Sequence, residues 1–207
     1  MQFRLKRERR KSLKIEIQDE EVIVKAPYWI SKRGVDLFIK AHRSWIEKEL
    51  QKASLRKKRF CFEEKFLLLG GRYPLRKGNK ELCFQNGSFW VEEPSQEAFQ
   101  TFYKNFAMGY LRLRTKVIAA KYNCLYNDIK ITGAKKRWGS CTSKRNINFS
   151  YRVVMLPPDL IDYIIVHELS HLTYMNHSKA FWSLVHSRMP DYKERHRRIA
   201  AFLVDDI

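Results

Sequence analysis

The chain has 207 residues, 44% hydrophobic and 14% aromatic, which supplies enough apolar material for a packed core and excludes wholesale disorder. Its 41 basic and 22 acidic residues leave a formal charge of +19, a balance that favours an anionic partner such as DNA or a nucleotide. No apolar run of ~18 residues occurs, so no membrane span is expected, and no signal-peptide pattern follows the basic N-terminus; with Cys61, Cys83, Cys124 and Cys141 widely separated, a cysteine zinc finger is excluded and reduced thiols in a cytoplasmic protein are expected.

The chain begins with a basic run, Arg4, Lys6, Arg7, Arg9, Arg10 and Lys11, which reads either as a phosphate-binding arm or as a solvated strand edge. Leu13, Ile15 and Ile17, and then Val22, Val24 and Ala26, alternate with polar residues. This pattern predicts a hairpin with one buried face, turning near Asp19 and Glu20. Ser31 is the N-cap expected for one long helix over residues 32–57, with Val35, Phe38, Ile39, His42, Trp45, Ile46 and Leu50 on its apolar stripe. Within residues 66–92, Phe66-Leu67-Leu68-Leu69, Leu82-Cys83-Phe84 and Phe89-Trp90-Val91 read as strands, with Gly70-Gly71, Lys77-Gly78-Asn79 and Asn86-Gly87 as turn signals, the last being the strongest hairpin turn in the chain.

Pro94-Ser95 opens a second long helix, reaching to about residue 121, with Phe99, Phe102, Phe106, Tyr110, Leu113 and Val117 on its face. The change of composition at Pro94 is the expected lobe boundary. It divides the chain into a β-rich lobe with a long helix at 1–93 and a catalytic lobe at 94–207. A short strand at 129–131 and a strand near 145–151 frame the segment Lys135-Lys136-Arg137-Trp138-Gly139-Ser140-Cys141. Pro157-Pro158-Asp159 starts an apolar helix, and two further helices close the chain, at about 180–189 and 191–204.

The chemistry concentrates in Val166-His167-Glu168-Leu169-Ser170-His171, with His177 six residues on. Histidines four apart share one helical face, so His167 and His171 can reach one metal ion, and His177 can close a three-histidine set after the helix turns. Glu168 is offset around the helix and can reach a water beside the metal without being a ligand. Three protein ligands with a position left open is the layout of a catalytic zinc site, and one Zn2+ per chain is expected. Arg137, Tyr151 and Tyr174 are candidates to stabilise an oxyanion or bind substrate, and Trp138 is a further candidate substrate contact. Lys135, Lys136 and Arg137 could instead hold phosphates of a nucleotide or nucleic acid.

Taken together, Trp138-Gly139-Ser140-Cys141, Pro157-Pro158, His167-Glu168-Leu169-Ser170-His171, Asn176-His177-Ser178 and Phe181-Trp182 resemble the YgjP-like metallopeptidases, relatives of the SprT and WLM zinc proteases. The N-terminal Val24-Lys25-Ala26-Pro27 also resembles theirs, so the resemblance spans nearly the whole chain. The histidine spacing matches metzincins as well, but Tyr174 stands where their glycine would be. The resemblance implies an α+β fold with a zincin-like catalytic lobe, a small sheet beside the HExxH helix. It implies zinc on His167, His171 and His177, with Glu168 as general base and acid in hydrolysis of a protein or peptide. Some relatives are described as UTP pyrophosphatases, which keeps metal-dependent nucleotide hydrolysis as an alternative. A nucleic-acid-binding protein with a structural zinc is a third reading, disfavoured by the free glutamate beside the histidines.

Overall fold

Strict alternation sets the N-terminal strands in register. The computed structural model describes residues 2–18, 21–58 and 60–202. Strand β2 (Lys14–Gln18) runs antiparallel to β3 (Glu21–Ala26), with Ile15 opposite Val24 and Ile17 opposite Val22. The expected turn at Asp19 and Glu20 lies outside the described residues. Strand β1 (Arg4–Arg7) pairs in parallel with the other side of β3. The basic run is therefore, over these four residues, an edge strand. Its Arg7 guanidinium donates to the carbonyls of Pro27, at 2.7 Å, and Ile30, tying down the loop that follows β3.

Val22, Val24 and Ala26 bury against Val35 and Ile39 of α1 (Lys32–Ala41) and Ile46 of α2 (Arg43–Lys58). Ser31 caps α1, its Oγ accepting from Gly34 N at 3.2 Å. The single helix expected over 32–57 is thus two, broken at His42. There the His42 amide is shared between the Phe38 and Ile39 carbonyls, and His42 Nδ1 takes the Phe38 carbonyl at 2.8 Å. A side chain that competes for the helix's own carbonyls relaxes its last turn. These elements lie in the first of two compact units, Met1–Cys61; the second is Phe62–Ile207.

The second unit opens with a four-stranded sheet ordered β4-β5-β7-β6, from β4 (Lys65–Leu68), β5 (Gly71–Lys77), β6 (Cys83–Gln85) and β7 (Ser88–Val91). Asn86 and Gly87 both have positive φ, 48° and 70°, the geometry a two-residue hairpin turn requires. Ser95 caps α3 (Gln96–Lys121), and the sheet closes onto it. Phe66 stacks on Phe99 at 4.2 Å, and the Tyr103 hydroxyl donates to the Leu67 carbonyl at 2.6 Å. These contacts place the composition change at Pro94 inside the second compact unit. The face expected for α3 also differs. The buried row is Phe99, Tyr103, Ala107, Leu111, Thr115 and Ile118, while Leu113 and Val117 are exposed. Phe102, Phe106 and Tyr110 stack along the flank instead. Small residues such as Ala107 let neighbouring backbone approach, a preference that an apolar count does not capture.

A third sheet, β8-β10-β9, is built from β8 (Ile129–Thr132), β9 (Gly139–Cys141) and β10 (Ile147–Ser150), with β9 antiparallel at its edge. A 3-10 turn, Tyr151–Met155, leads from β10 into α4 (Pro158–Ser170), followed by α5 (Lys179–Arg188) and α6 (Tyr192–Ala201). The fold is mixed α+β, with small sheets and six α-helices among the described residues. None of those helices is long and apolar enough to cross a membrane.

The turn between β4 and β5 anchors the start of α4. Leu69 N and Gly70 N donate to the Val154 and Met155 carbonyls at 2.7 and 3.1 Å. Gly70 has φ +81°, and a Cβ there would meet Pro157 Cα at 2.9 Å. Gly87, at φ +70°, faces open space. Gly87→Ala should therefore cost only the left-handed backbone penalty of roughly 1 kcal/mol, whereas Gly70→Ala adds a backbone clash and should cost about 2–3 kcal/mol or more. Denaturant midpoints of the two variants check the ordering; equal losses would remove the Pro157 contact as a determinant.

Candidate metal centre and active site

Helix α4 is apolar on nearly every face. Pro157 is its N-cap, Pro158 occupies the first turn, and Leu160, Ile161, Ile164, Ile165, Val166 and Leu169 are buried. A proline in the first turn forfeits no intrahelical hydrogen bond. The helix ends in three buried polar groups, Glu168, Ser170 and His171. Burying such groups is costly unless they are partnered. Ser170 Oγ donates to the Val166 carbonyl at 2.7 Å and accepts from Arg188 Nη1 at 3.1 Å. The other two belong to the site.

His167 sits in the last turn of α4 and His171 caps it. The chain then turns, and His177 arrives immediately before Ser178, whose Oγ caps α5 by accepting from Phe181 N at 3.4 Å. The three rings converge. His167 Nε2 lies 3.2 Å from His171 Nε2 and 3.0 Å from His177 Nε2. One donor atom from each histidine falls within 4.8 Å of the others. Around a tetrahedral ion with Zn–N near 2.05 Å, ligand nitrogens stand about 3.3 Å apart, so the spacing fits. Proton bookkeeping points the same way. His171 Nδ1 lies 2.9 Å from the Tyr174 carbonyl, which can only accept, so the neutral ring carries its proton on Nδ1 and presents a lone pair at Nε2. A single proton on His167 Nε2 could serve only one of its two close neighbours. A cation among the three nitrogens serves all of them.

The surroundings keep the imidazoles neutral. Burial, and then the His171 and His177 rings, push the His167 pKa down to about 3. Burial also lowers His171. Aromatic packing fixes ring orientation: Phe181 stacks on His171 at 4.4 Å, and Trp182 stacks on His177 at 5.6 Å. Behind His167, the Tyr163 hydroxyl meets His196 Nδ1 at 3.0 Å. His186, also outside the motif, packs against Tyr192.

Glu168 is only 5% exposed and is not one of the converging donors. Burial raises its pKa to about 8, opposed by the Arg137 guanidinium, and its Oε2 has no hydrogen-bond partner. A cation held by the adjacent histidines would favour the ionised form. The carboxylate rests on Gly139 of β9. A Cβ at position 139 would lie 2.6 Å from Oε1, so no other residue fits beneath it without displacement. Cys141 follows on the same strand. Burial and the nearby Glu168 raise its thiol pKa, and it lies outside the histidine cluster.

The remaining candidates fall in different places. Lys135, Lys136, Arg137 and Trp138 line a pocket of about 40 Å3 together with Ala134, Ser150 and Arg152. Of these, Arg137 is near enough to act electrostatically on Glu168. Tyr151 is buried with its ring stacked on Tyr103 at 6.3 Å, a packing position. Tyr174 serves the site through its backbone carbonyl, and the residue is 39% exposed. Tyr174 is not among the positive-φ residues, so the turn there does not need the glycine that metzincins use. Gly139 and Arg152 had no assigned role from sequence. The first could be found only as part of the Trp138-Gly139-Ser140-Cys141 motif, and the second gave no signal.

A family model described as the YgjP-like metallopeptidase domain matches residues 11–202. A comparison with curated proteins returns no match. Among solved structures, the metallopeptidase zymogen abylysin of Pyrococcus abyssi is 22% identical with a TM-score of 0.41. That of Methanocaldococcus jannaschii, jannalysin, is 23% identical with a TM-score of 0.39. Each comparison covers 44% of this chain and 93% of the other. The family assignment rests on the match over 11–202: the chain belongs to the YgjP-like metallopeptidases.

Proposed function

We propose that the chain is a zinc peptidase with a zincin-like catalytic lobe. In this reading His167, His171 and His177 hold the metal, and Glu168 is the general base and acid. The observation that carries it is the convergence of three Nε2 atoms beside a buried carboxylate oxygen that has no other partner. Zinc, when bound, supplies Lewis acidity toward the attacking water and the scissile carbonyl. Every other requirement falls to the chain. Glu168 accepts a proton from the water and returns it to the leaving amine. Gly139 leaves room for the carboxylate to do so. The Tyr174 carbonyl holds His171 with its lone pair facing inward. Edge strand β9, which passes over Glu168, offers free backbone groups to an extended substrate. A second reading, hydrolysis of a nucleoside triphosphate such as UTP, draws support from the pocket of Lys135, Lys136, Arg137 and Arg152.

The whole chain should bind one zinc. Combined His167→Ala and His171→Ala replacement should abolish that stoichiometry, while Glu168→Gln should keep it and lower peptide turnover by ~10²–10⁴. Metal analysis beside turnover of an unfolded protein substrate tests both statements; full zinc retained by the double-histidine variant would sink the assignment.

Gly139→Ala must push the carboxylate aside. Its turnover should fall by ~10²-fold with zinc content unchanged, as expected for a displacement of about 1 Å. Wild-type turnover in this variant would show that Glu168 does not need its seat on β9. Assays on UTP in parallel separate the two chemistries. Cleavage of UTP that disappears when Lys135, Lys136 and Arg137 are neutralised, without cleavage of any peptide, would establish the second reading in place of the first.

A further inference from the structure

Arg152 is a cation without a counter-ion among the described residues. It lies in the 3-10 turn, and both Nε and Nη1 are buried without a hydrogen-bond partner. Its guanidinium sits over the Tyr151 ring at 5.7 Å, which offers a quadrupole but no acceptor. A guanidinium with two nitrogens buried and unpartnered is costly, and the cost falls when an oxyanion arrives. Arg152 lines the pocket that also holds Lys135, Lys136, Arg137, Trp138 and Ser150. None of the four cations forms an ion pair with an acid among the described residues. Arg137 also acts electrostatically on the Glu168 carboxylate.

The place of this pocket gives it a meaning. Gly139 touches Glu168, and Arg137 lies two residues before it, so the pocket flanks the proposed site of bond cleavage. β9 is an edge strand, and a peptide added to it antiparallel, the more stable pairing, would run its C-terminal side toward residues 135–137. Two backbone amides bordering the pocket are committed inside the fold: Ser150 N donates to the Trp138 carbonyl and Ala134 N to Thr132 Oγ. Four side-chain cations around a small volume suit one planar carboxylate, which a guanidinium can grip in two places.

We propose that Lys135, Lys136, Arg137 and Arg152 form a carboxylate subsite for the peptide substrate on the C-terminal side of the cleaved bond. The substrate class is then a peptide with an acidic residue just beyond that bond, or one that ends there in its free carboxylate. The proposal rests on the peptidase reading for its turnover consequence, but not for its binding consequence.

The test uses the whole zinc-loaded chain and one neutral fluorogenic peptide in four forms. These are amidated, carrying Glu after the cleaved bond, carrying Glu before it, and ending in a free carboxylate close after it. The second or the fourth form, or both, should be preferred over the amidated form by ~10-fold or more in kcat/KM, expressed in KM, as expected for one charge-assisted contact. The preference should shrink toward unity in Arg152→Met, recover in part in Arg152→Lys, and shrink in the Lys135→Ala/Lys136→Ala variant, whose changes lie on exposed side chains and carry the test if Arg152→Met does not fold. Binding is measured separately on Glu168→Gln protein, by the change in Trp138 fluorescence as acetylated Glu peptide or its Gln counterpart is added. A saturable signal for the Glu peptide only, lost in Trp138→Phe and in the lysine variant, supports the subsite even if no peptide is cleaved, an outcome that would count against the peptidase reading alone. Equal cleavage and equal binding of acidic and neutral peptides, a preference untouched by the variants, or saturable binding of inorganic triphosphate where acidic peptides give no signal would each overturn it.

Discussion

A helix buried on nearly all sides cannot end in polar side chains unless something answers them. That constraint governs α4. Its apolar length fixes its place between α3, the 3-10 turn and α6, and its last turn carries His167, Glu168, Ser170 and His171 into the same interior. Ser170 is answered by the Val166 carbonyl and Arg188, and His171 by the Tyr174 carbonyl. What remains unanswered is His167 Nδ1, one oxygen of Glu168 and the inward lone pairs of the rings. The site is the remainder left after the fold has satisfied what it can.

Holding that remainder in shape takes anchors at both ends of the helix. At the start, Gly70 lies against Pro157, Arg195 donates to the Asp159 carbonyl at 2.6 Å, and Arg198 pairs with the Asp159 carboxylate. Midway, Arg114 on α3 grips Asp162 through two bonds of 2.6 and 2.5 Å. These ion pairs are partly exposed and contribute little to stability individually. Their effect is positional, because a rotation of α4 would separate the histidines from His177 and lift Glu168 from β9. A carboxylate held in such a frame need not reorganise when charge develops beside it.

The parts of this arrangement legible in the sequence are those set by local periodicity. Residues four apart on a helix share a face, so His167 and His171 could be paired before any fold was known. Asn86-Gly87 announced its hairpin because both positions need positive φ. The caps at Ser31 and Ser95 were equally local. What was not legible depends on close approach between distant segments. Nothing near Gly139 says that a carboxylate 29 positions later will rest on it. Arg152 looks like any surface arginine until burial removes its solvent. Apolar content points to Leu113 and Val117 for the inner face of α3, whereas packing uses Ala107 and Thr115. Strand β5 was hidden by its Pro74, a residue that the pattern treats as a break.

The acceptor for His171 is a main-chain carbonyl, and this sets what position 174 can do. A carboxylate acceptor would tie the orientation of the His171 ring to one side chain, and any exchange there would disturb the ring. Here the amide plane does that work whichever side chain is attached. The Tyr174 ring takes no part in orienting His171, and the residue is partly open to solvent. Position 174 can therefore exchange its side chain while the orientation of His171 stays fixed.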